Sequence, residues 1–175
     1  LENERFFNKM SDEAKKKYMN DPLNFSMMMV SNGDADGLVA GAVTSTSDVL
    51  RSAIRIVGVT PLSKWVSSSF FMISPKADAA YTFADCAVIP EPTSDQLASI
   101  AGESSAIHRL LTGEEPQVAF LSFSTKGSAN HRRVTHVKEA VKIFADKYPK
   151  ILHDGELQLD SAIVPAVATS KTKDS

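Results

Sequence analysis

Over residues 4 to 18, apolar Phe6, Phe7, Met10, Ala14 and Tyr18 fall on one helical face and Lys15, Lys16 and Lys17 are left for solvent, which predicts an amphipathic helix. Asp21 and Pro22 predict a second helix start. The carboxylate caps free amides there, and the proline sits in the first turn, where its missing N–H costs nothing. The run "LNFSMMMV" continues that helix toward Gly33, a left-handed C-cap. "DGLVAGAV" then reads as a short buried strand whose glycines admit close backbone approach. A helix follows over residues 48 to 57, with Val49, Leu50, Ala53, Ile54 and Val57 as its apolar stripe and Ser45 and Asp48 spaced as a capping box. Arg51 and Arg55, four apart, share its other face.

Two apolar runs rich in aromatic and β-branched residues, "WVSSSFFMI" and "YTFADCAVI", are bounded by Pro61, Pro75 and Pro90 and read as strands. Thr93 and Gln96 form a second capping box, opening a helix that runs to Gly113. "QVAFLSF" is a continuous apolar run, as expected of a strand covered on both faces. The loop "STKGSANHRR" leads into the helix "VTHVKEAVKIFADKY", which Pro149 closes. "ILHDGEL" is the last strand, and "LDSAIVPAVATS" a last helix bent or restarted at Pro165. Strands alternating with helices predict an α/β fold, a three-layer αβα arrangement on a mostly parallel sheet. Ligands of such sheets bind at the strand C-terminal ends, so the loops to read are "TSTSD", "PEPTSD", "STKGSANHR" and "LQLD".

Composition narrows the classes. A chain of 175 residues, 43% hydrophobic and 23% charged, can bury a core and falls within one domain or two small ones. Nineteen basic against 21 acidic residues give a formal charge of −2, without the basic excess a nucleic-acid partner would require. Its longest apolar runs are too short to span a bilayer and no secretory leader is read, so the cytoplasm is the expected location and no membrane partner is expected. The single cysteine, Cys86, cannot form an intrachain disulfide and is expected to be a small buried hydrophobe. The chain opens on Leu1 and closes in the polar tail "SKTKDS" directly after a predicted helix, which raises the expectation of a longer polypeptide.

Three of the four loops are rich in hydroxyls. A helix N-terminus preceded by Ser, Thr and Gly offers free amides, small donors and a positive dipole end, a combination suited to an anion and especially to phosphate. "STKGSA" adds a lysine, and Arg51 stands near "TSTSD". The plain alternative is that these hydroxyls are helix caps. Neither a Walker motif nor the dinucleotide fingerprint is present, because the glycine spacings differ. Asp34 and Asp36 lack the further oxygen ligands of a calcium loop and are expected to accept backbone amides in a tight turn; no metal is expected. Asp154, Glu156 and Asp160 are acid–base candidates, two of them near a helix start, while His108, His131, His136 and His153 show no ligand spacing. Read alone, the residues point to a phosphate-bearing ligand.

The strings "GDADGLVAGAVTSTSDVLRSAIRIV", "FADCAVIPEPTSDQLASIA", "VAFLSFSTKGSA" and "DGELQLDSAIVPAVATSK" resemble the phosphate acetyltransferase and phosphate butyryltransferase family, in order and at family spacing from about Met27 onward. The resemblance implies interconversion of acetyl phosphate plus coenzyme A with acetyl-CoA plus phosphate, by direct attack of the thiolate on the acetyl carbonyl. Coenzyme A is then a substrate and no cofactor is needed. It implies a fold like that of the isocitrate and isopropylmalate dehydrogenases, usually in dimers. Arg51 takes the place of a family arginine implicated in substrate binding, and is the catalytic candidate. Ser45 and Thr46 beside it, with Thr125, Lys126, Gly127 and Ser128 in the facing loop, are the expected substrate-binding residues. The family's C-terminal continuation, with a Ser–Arg pair and an aspartate base, has no counterpart here, so the expectation is a fragment with little activity alone. Residues 1–62 are expected to belong to a first, discontinuous domain and 63–175 to most of a second. Butyryl transfer, and a noncatalytic acetyl-CoA-sensing domain of the kind fused to some malic enzymes, stay open as alternatives; the near-complete "STKGSA" and "DGELQ" strings favour acetyl.

Overall fold

The computed structural model describes residues 6–60, 64–76 and 78–171. These form two compact units, one up to Trp65 and one from Val66.

The first unit is helical. Residues 6–8 are helical, and the part of the predicted first helix before Phe6 lies outside the described residues. Helix α1 (Asp12–Met19) starts at Ser11, whose hydroxyl accepts the Ala14 amide at 3.2 Å. Helix α2 (Pro22–Asn32) is capped as expected by Asp21, which accepts the Asn24 amide at 3.1 Å, with Pro22 in the first turn. It ends on Gly33 at φ 80°, a left-handed position that glycine adopts without penalty. Helix α3 (Thr46–Ile56) packs on α2, burying Ile56 and Met27. Ser52 and Asn24 tie the two helices by a 2.8 Å hydrogen bond, and Phe6, Phe7 and Tyr18 stack edge to face.

Three expectations fail in this unit. The single helix expected over residues 4 to 18 is interrupted at residues 9–11 and restarts at Asp12. "DGLVAGAV" is not a strand and is not buried: residues 37–43 are irregular, and Val39 and Val43 stand fully exposed. A strand exists only where a neighbour completes its ladder, and none is present among the described residues of this unit. The tight turn near Asp34 and Asp36 is closed by the main chain, the Asp34 amide reaching Met29 O at 2.8 Å and the Gly33 amide reaching Val30 O at 3.1 Å. Both aspartates are exposed.

The second unit is α/β. Strands β1 (Ser69–Ile73) and β2 (Ala80–Ala84) pair antiparallel, Ser69 opposite Ala84 and Ile73 opposite Ala80. The short connection between them allows only a hairpin, so this pair departs from the parallel arrangement expected of the sheet. The strand in "YTFADCAVI" stops at Ala84 because the Asp85 carboxylate takes over the following amides. Helix α4 (Ser94–Thr112) carries the complete capping box: the Thr93 amide donates to Gln96 Oε1 at 2.8 Å and the Gln96 amide to Thr93 Oγ1 at 3.2 Å. Gly113 ends it at φ 75°.

Strand β3 (Gln117–Leu121), helix α5 (Arg132–Lys147) and strand β4 (Leu152–Leu157) form a parallel β–α–β unit. Phe144 and Ala140 of α5, Ala98 of α4 and Phe120 of β3 make its core, with the Phe120 and Phe144 rings edge to face at 5.3 Å. β3 is covered on one face only, contrary to its apolar run: Phe120 is buried, while Gln117, Ala119 and Leu121 are exposed. The register shifts at its end, Phe120 facing Gly155 and Leu121 facing Leu157, so Glu156 has no strand partner. "LDSAIVPAVATS" divides at its proline into α6 (Leu159–Ile163) and α7 (Pro165–Lys171). Val164 is extended between them, as the residue before proline is pushed to be. No helix among the described residues is long and apolar enough to cross a membrane.

Candidate functional site

The sequence candidates fall into two groups, one in each unit. In the first unit they gather at the start of α3. Ser45 is its N-cap: the hydroxyl accepts the Asp48 amide at 3.2 Å and donates to Asp48 Oδ2 at 2.6 Å. Thr46 opens the helix and is exposed. Arg51, one turn on, places Nη1 2.7 Å from Asp48 Oδ1, with both side chains about half exposed. The Ser45 hydroxyl above all, and then the Arg51 charge, hold the Asp48 carboxyl below its usual range. Asp48 thus joins Ser45 and Arg51 into one exposed cluster.

In the second unit, Thr125, Lys126, Gly127 and Ser128 lie in one loop between β3 and α5, at the C-terminal end of the parallel pair. Lys126 at φ 46° and Gly127 at φ 85° turn the chain through the left-handed region, which costs a lysine and suits a glycine. Thr125 is buried, and its Oγ1 accepts the Gln158 amide at 3.0 Å while meeting Gln158 Oε1 at 3.2 Å. Ser128 is exposed and its Oγ accepts the Thr125 amide at 3.0 Å. Lys126 forms an ion pair with Asp154.

The side chain that gathers this loop is Glu156, 1% exposed. Its Oε1 accepts the Gly127 amide at 2.6 Å and the Ser124 hydroxyl at 3.0 Å, and Lys138 Nζ lies 3.6 Å away. Burial alone would raise its pKa. The Gly127 amide, its own amide, the Ser124 hydroxyl and Lys138 outweigh that and hold the carboxyl below its ordinary value. Gly155 makes the placement possible, because a Cβ there would fall 2.7 Å from Phe120 Cβ and 3.0 Å from Phe120 O. Beside the loop opens a groove of about 360 Å³ lined by Lys126, Lys138, Val141, Lys142, Gly155 and Glu156.

In the sequence Glu156 is one of three acidic candidates, and Lys138 and Lys142 stand out by no pattern of their own. The available signal was a glutamate inside the apolar strand "ILHDGEL", since a buried carboxylate demands partners. Asp85, inside the apolar run "YTFADCAVI", carries the same signal. It accepts Ser68 Oγ at 2.5 Å and the amides of Ala87, Val88 and Ile89 at 2.8 to 3.0 Å, contacts that outweigh its burial and lower its pKa. Cys86 is half-buried in that turn, outside any strand, and donates to Phe83 O at 3.0 Å. Asp160 pairs with Lys171 at 2.8 Å, and His131 caps α5 through Nδ1, which accepts the Arg133 amide at 3.2 Å. Among the described residues no group of three or more His, Cys, Asp or Glu converges as a metal site would.

A protein-family model described as phosphate acetyl/butaryl transferase matches residues 4–175. A phosphate acetyltransferase of Acetivibrio thermocellus is 44% identical over 170 residues, covering 95% of this chain and 51% of the relative. One from Thermoanaerobacterium thermosaccharolyticum is 47% identical over 163 residues, covering 91% and 50%. Among solved structures, a phosphotransacetylase from Streptococcus pyogenes superimposes with a TM-score of 0.86 at 38% identity, over 99% of this chain and 53% of that one. The EutD phosphotransacetylase from Staphylococcus aureus gives 0.83 at 44% identity, over 98% and 52%. The chain spans about half the length of the curated relatives it matches. With a family model covering nearly all of its residues and relatives at this level of identity, the chain belongs to the phosphate acetyl/butyryl transferase family.

Proposed function

We propose that this chain takes part in acyl transfer between acetyl phosphate and coenzyme A. The observation that carries this reading is the 44% identity over 170 residues to a protein named phosphate acetyltransferase. In the reaction, the coenzyme A sulfur forms a bond to the acetyl carbonyl carbon and the carbon–oxygen bond to phosphate breaks. The phosphate leaves with that electron pair and the thiol proton passes to a base. Coenzyme A and acetyl phosphate are the substrates, and the chemistry requires no metal or further cofactor. What the protein must supply is position, and donors where negative charge gathers.

Arg51 is the candidate for phosphate. One of its nitrogens is engaged by Asp48, and the rest of its planar donor set is left for phosphate oxygens. Ser45 and Thr46 extend that cluster with hydroxyls, and Lys126 and Ser128 supply an ammonium and a hydroxyl from the 124–129 loop. Thr125 and Gly127 shape the loop from within, since their polar groups are bonded inside it. No residue of this chain is assigned as the base. The family resemblance implies a homodimer as the acting form.

The test is to mix this chain, and in parallel a version continued to the length of its relatives, with acetyl phosphate and coenzyme A, and to follow thioester formation. Thioester from the longer version supports the reading. No thioester from either, with acetyl-CoA still bound, replaces it with a sensing role.

A further inference from the structure

We propose that Glu156 is the positioning residue of the 124–129 loop: its buried Oε1 gathers the Gly127 amide, the Ser124 hydroxyl and the Lys138 ammonium, and so holds the exposed Lys126 and Ser128 of that loop where an anionic substrate can meet them. This rests on the reading of the loop as a seat for acetyl phosphate.

An ionised carboxylate only accepts, so the Ser124 hydroxyl, 3.0 Å from Glu156 Oε1, spends its one proton there. Ser124 Oγ can then act toward its other neighbours only as an acceptor: from the Ala129 amide at 3.1 Å, and from Ser128, whose Oγ lies 3.3 Å away. Ser128 Oγ already accepts the Thr125 amide at 3.0 Å. Ser128 is exposed while Ser124 is fully buried, and the one proton of Ser128 goes either inward to Ser124 or outward to a ligand. The carboxylate thus fixes Ser124 as an acceptor beneath the loop, and with it the place of the Ser128 hydroxyl at the surface.

The same residue holds the loop's shape. The Lys126 amide donates to the main-chain oxygen of Glu156 at 3.1 Å while the Gly127 amide donates to its side chain, so two successive left-handed residues are pinned to one point on β4. A left-handed lysine persists only where its surroundings enforce it. With the carboxylate gone, the Gly127 amide would lose its partner and the turn its reason.

The experiment is a titration of the nitrogen-15-labelled 175-residue chain with inorganic phosphate and, separately, with acetyl phosphate, following the amide signals of residues 124–129. Wild-type signals of Lys126 and Ser128 should move saturably. Glu156→Ala should weaken the apparent affinity about tenfold or more, as loss of a charged hydrogen-bond partner does, and should speed hydrogen exchange at Gly127 while α5 and β4 stay protected. Glu156→Gln keeps an oxygen at the Oε1 position and should restore affinity to within about threefold of wild type. If Glu156→Ala does not fold, Ser124→Ala removes one tie between the loop and Glu156 together with the acceptor of the Ala129 amide, and should weaken binding in the same direction. Wild-type affinity in folded Glu156→Ala, or in Ser124→Ala, overturns the proposal, as does a Glu156→Gln chain that binds no better than the alanine variant. A wild-type chain whose loop signals ignore both anions overturns the seat itself, a result distinct from any change confined to the variants.

Discussion

Arg51 and Gly155 show two opposite ways in which a single residue matters to this protein. Arg51 is held by Asp48 across one helical turn, an exposed pair of little worth to stability. Its replacement by alanine should leave folding intact and, in a catalytically active length of the protein, lower kcat/KM for acetyl phosphate by about 2–4 kcal/mol of transition-state stabilisation. Unchanged kinetics would leave Arg51 an ordinary surface residue. Gly155 has the opposite character, since it touches no candidate ligand but cannot carry a side chain. Gly155→Ala should destabilise the second unit by about 1–3 kcal/mol, because the new methyl meets Phe120 Cβ and a main-chain oxygen, neither of which can swing away. Urea unfolding followed by far-ultraviolet circular dichroism measures it, and an unchanged midpoint would mean that β3 yields freely. Glycine in "HDGEL" was readable in the sequence; that it faces Phe120 was not, because that contact depends on the register between β3 and β4.

Elements were legible where their signals are local. Asp21, Thr93 with Gln96, Gly33, Gly113 and Pro165 each act within four or five residues of themselves, and each does in the structure what its chemistry requires. Thr93→Ala should therefore cost about 1 kcal/mol, seen as a lower thermal midpoint, whereas Thr93→Ser should cost much less. Equal loss in both would locate the effect in the threonine methyl instead of the cap. Strands were less legible. "DGLVAGAV" has the apolar run of a strand but no partner, and "YTFADCAVI" is cut short at Asp85, whose carboxylate captures three amides. A ladder needs a second chain segment, so apolarity alone never decides it.

At the scale of the whole molecule, carboxylates that gather hydrogen bonds shape the response to acid. Asp85 and Glu156 bind protons less readily folded than unfolded, so on acidification the unfolded chain takes them up first. Their contribution to stability is complete above the ordinary carboxylate pKa of about 4 and is lost as pH falls through their own lower values. Unfolding free energy should thus hold steady near neutrality and fall between about pH 5 and pH 2. Glu156→Gln should show a shallower fall, measured by urea titration at each pH, and parallel curves would exclude the residue from the acid response.

By itself the sequence determined α2 and α4 with their caps, the alternation of β3, α5 and β4, the loop "STKGSA" and, through the resemblance of its motifs, the family. All of these rest on neighbours in the chain or on strings that can be read in order. Only the tertiary structure decided that β1 and β2 form a hairpin and that the loop donors turn inward onto Glu156. The physical reason is the same throughout. A hydrogen bond or an ion pair belongs to two groups, and where they lie some thirty residues apart, as Gly127 and Glu156 do, only the folded chain brings them within reach.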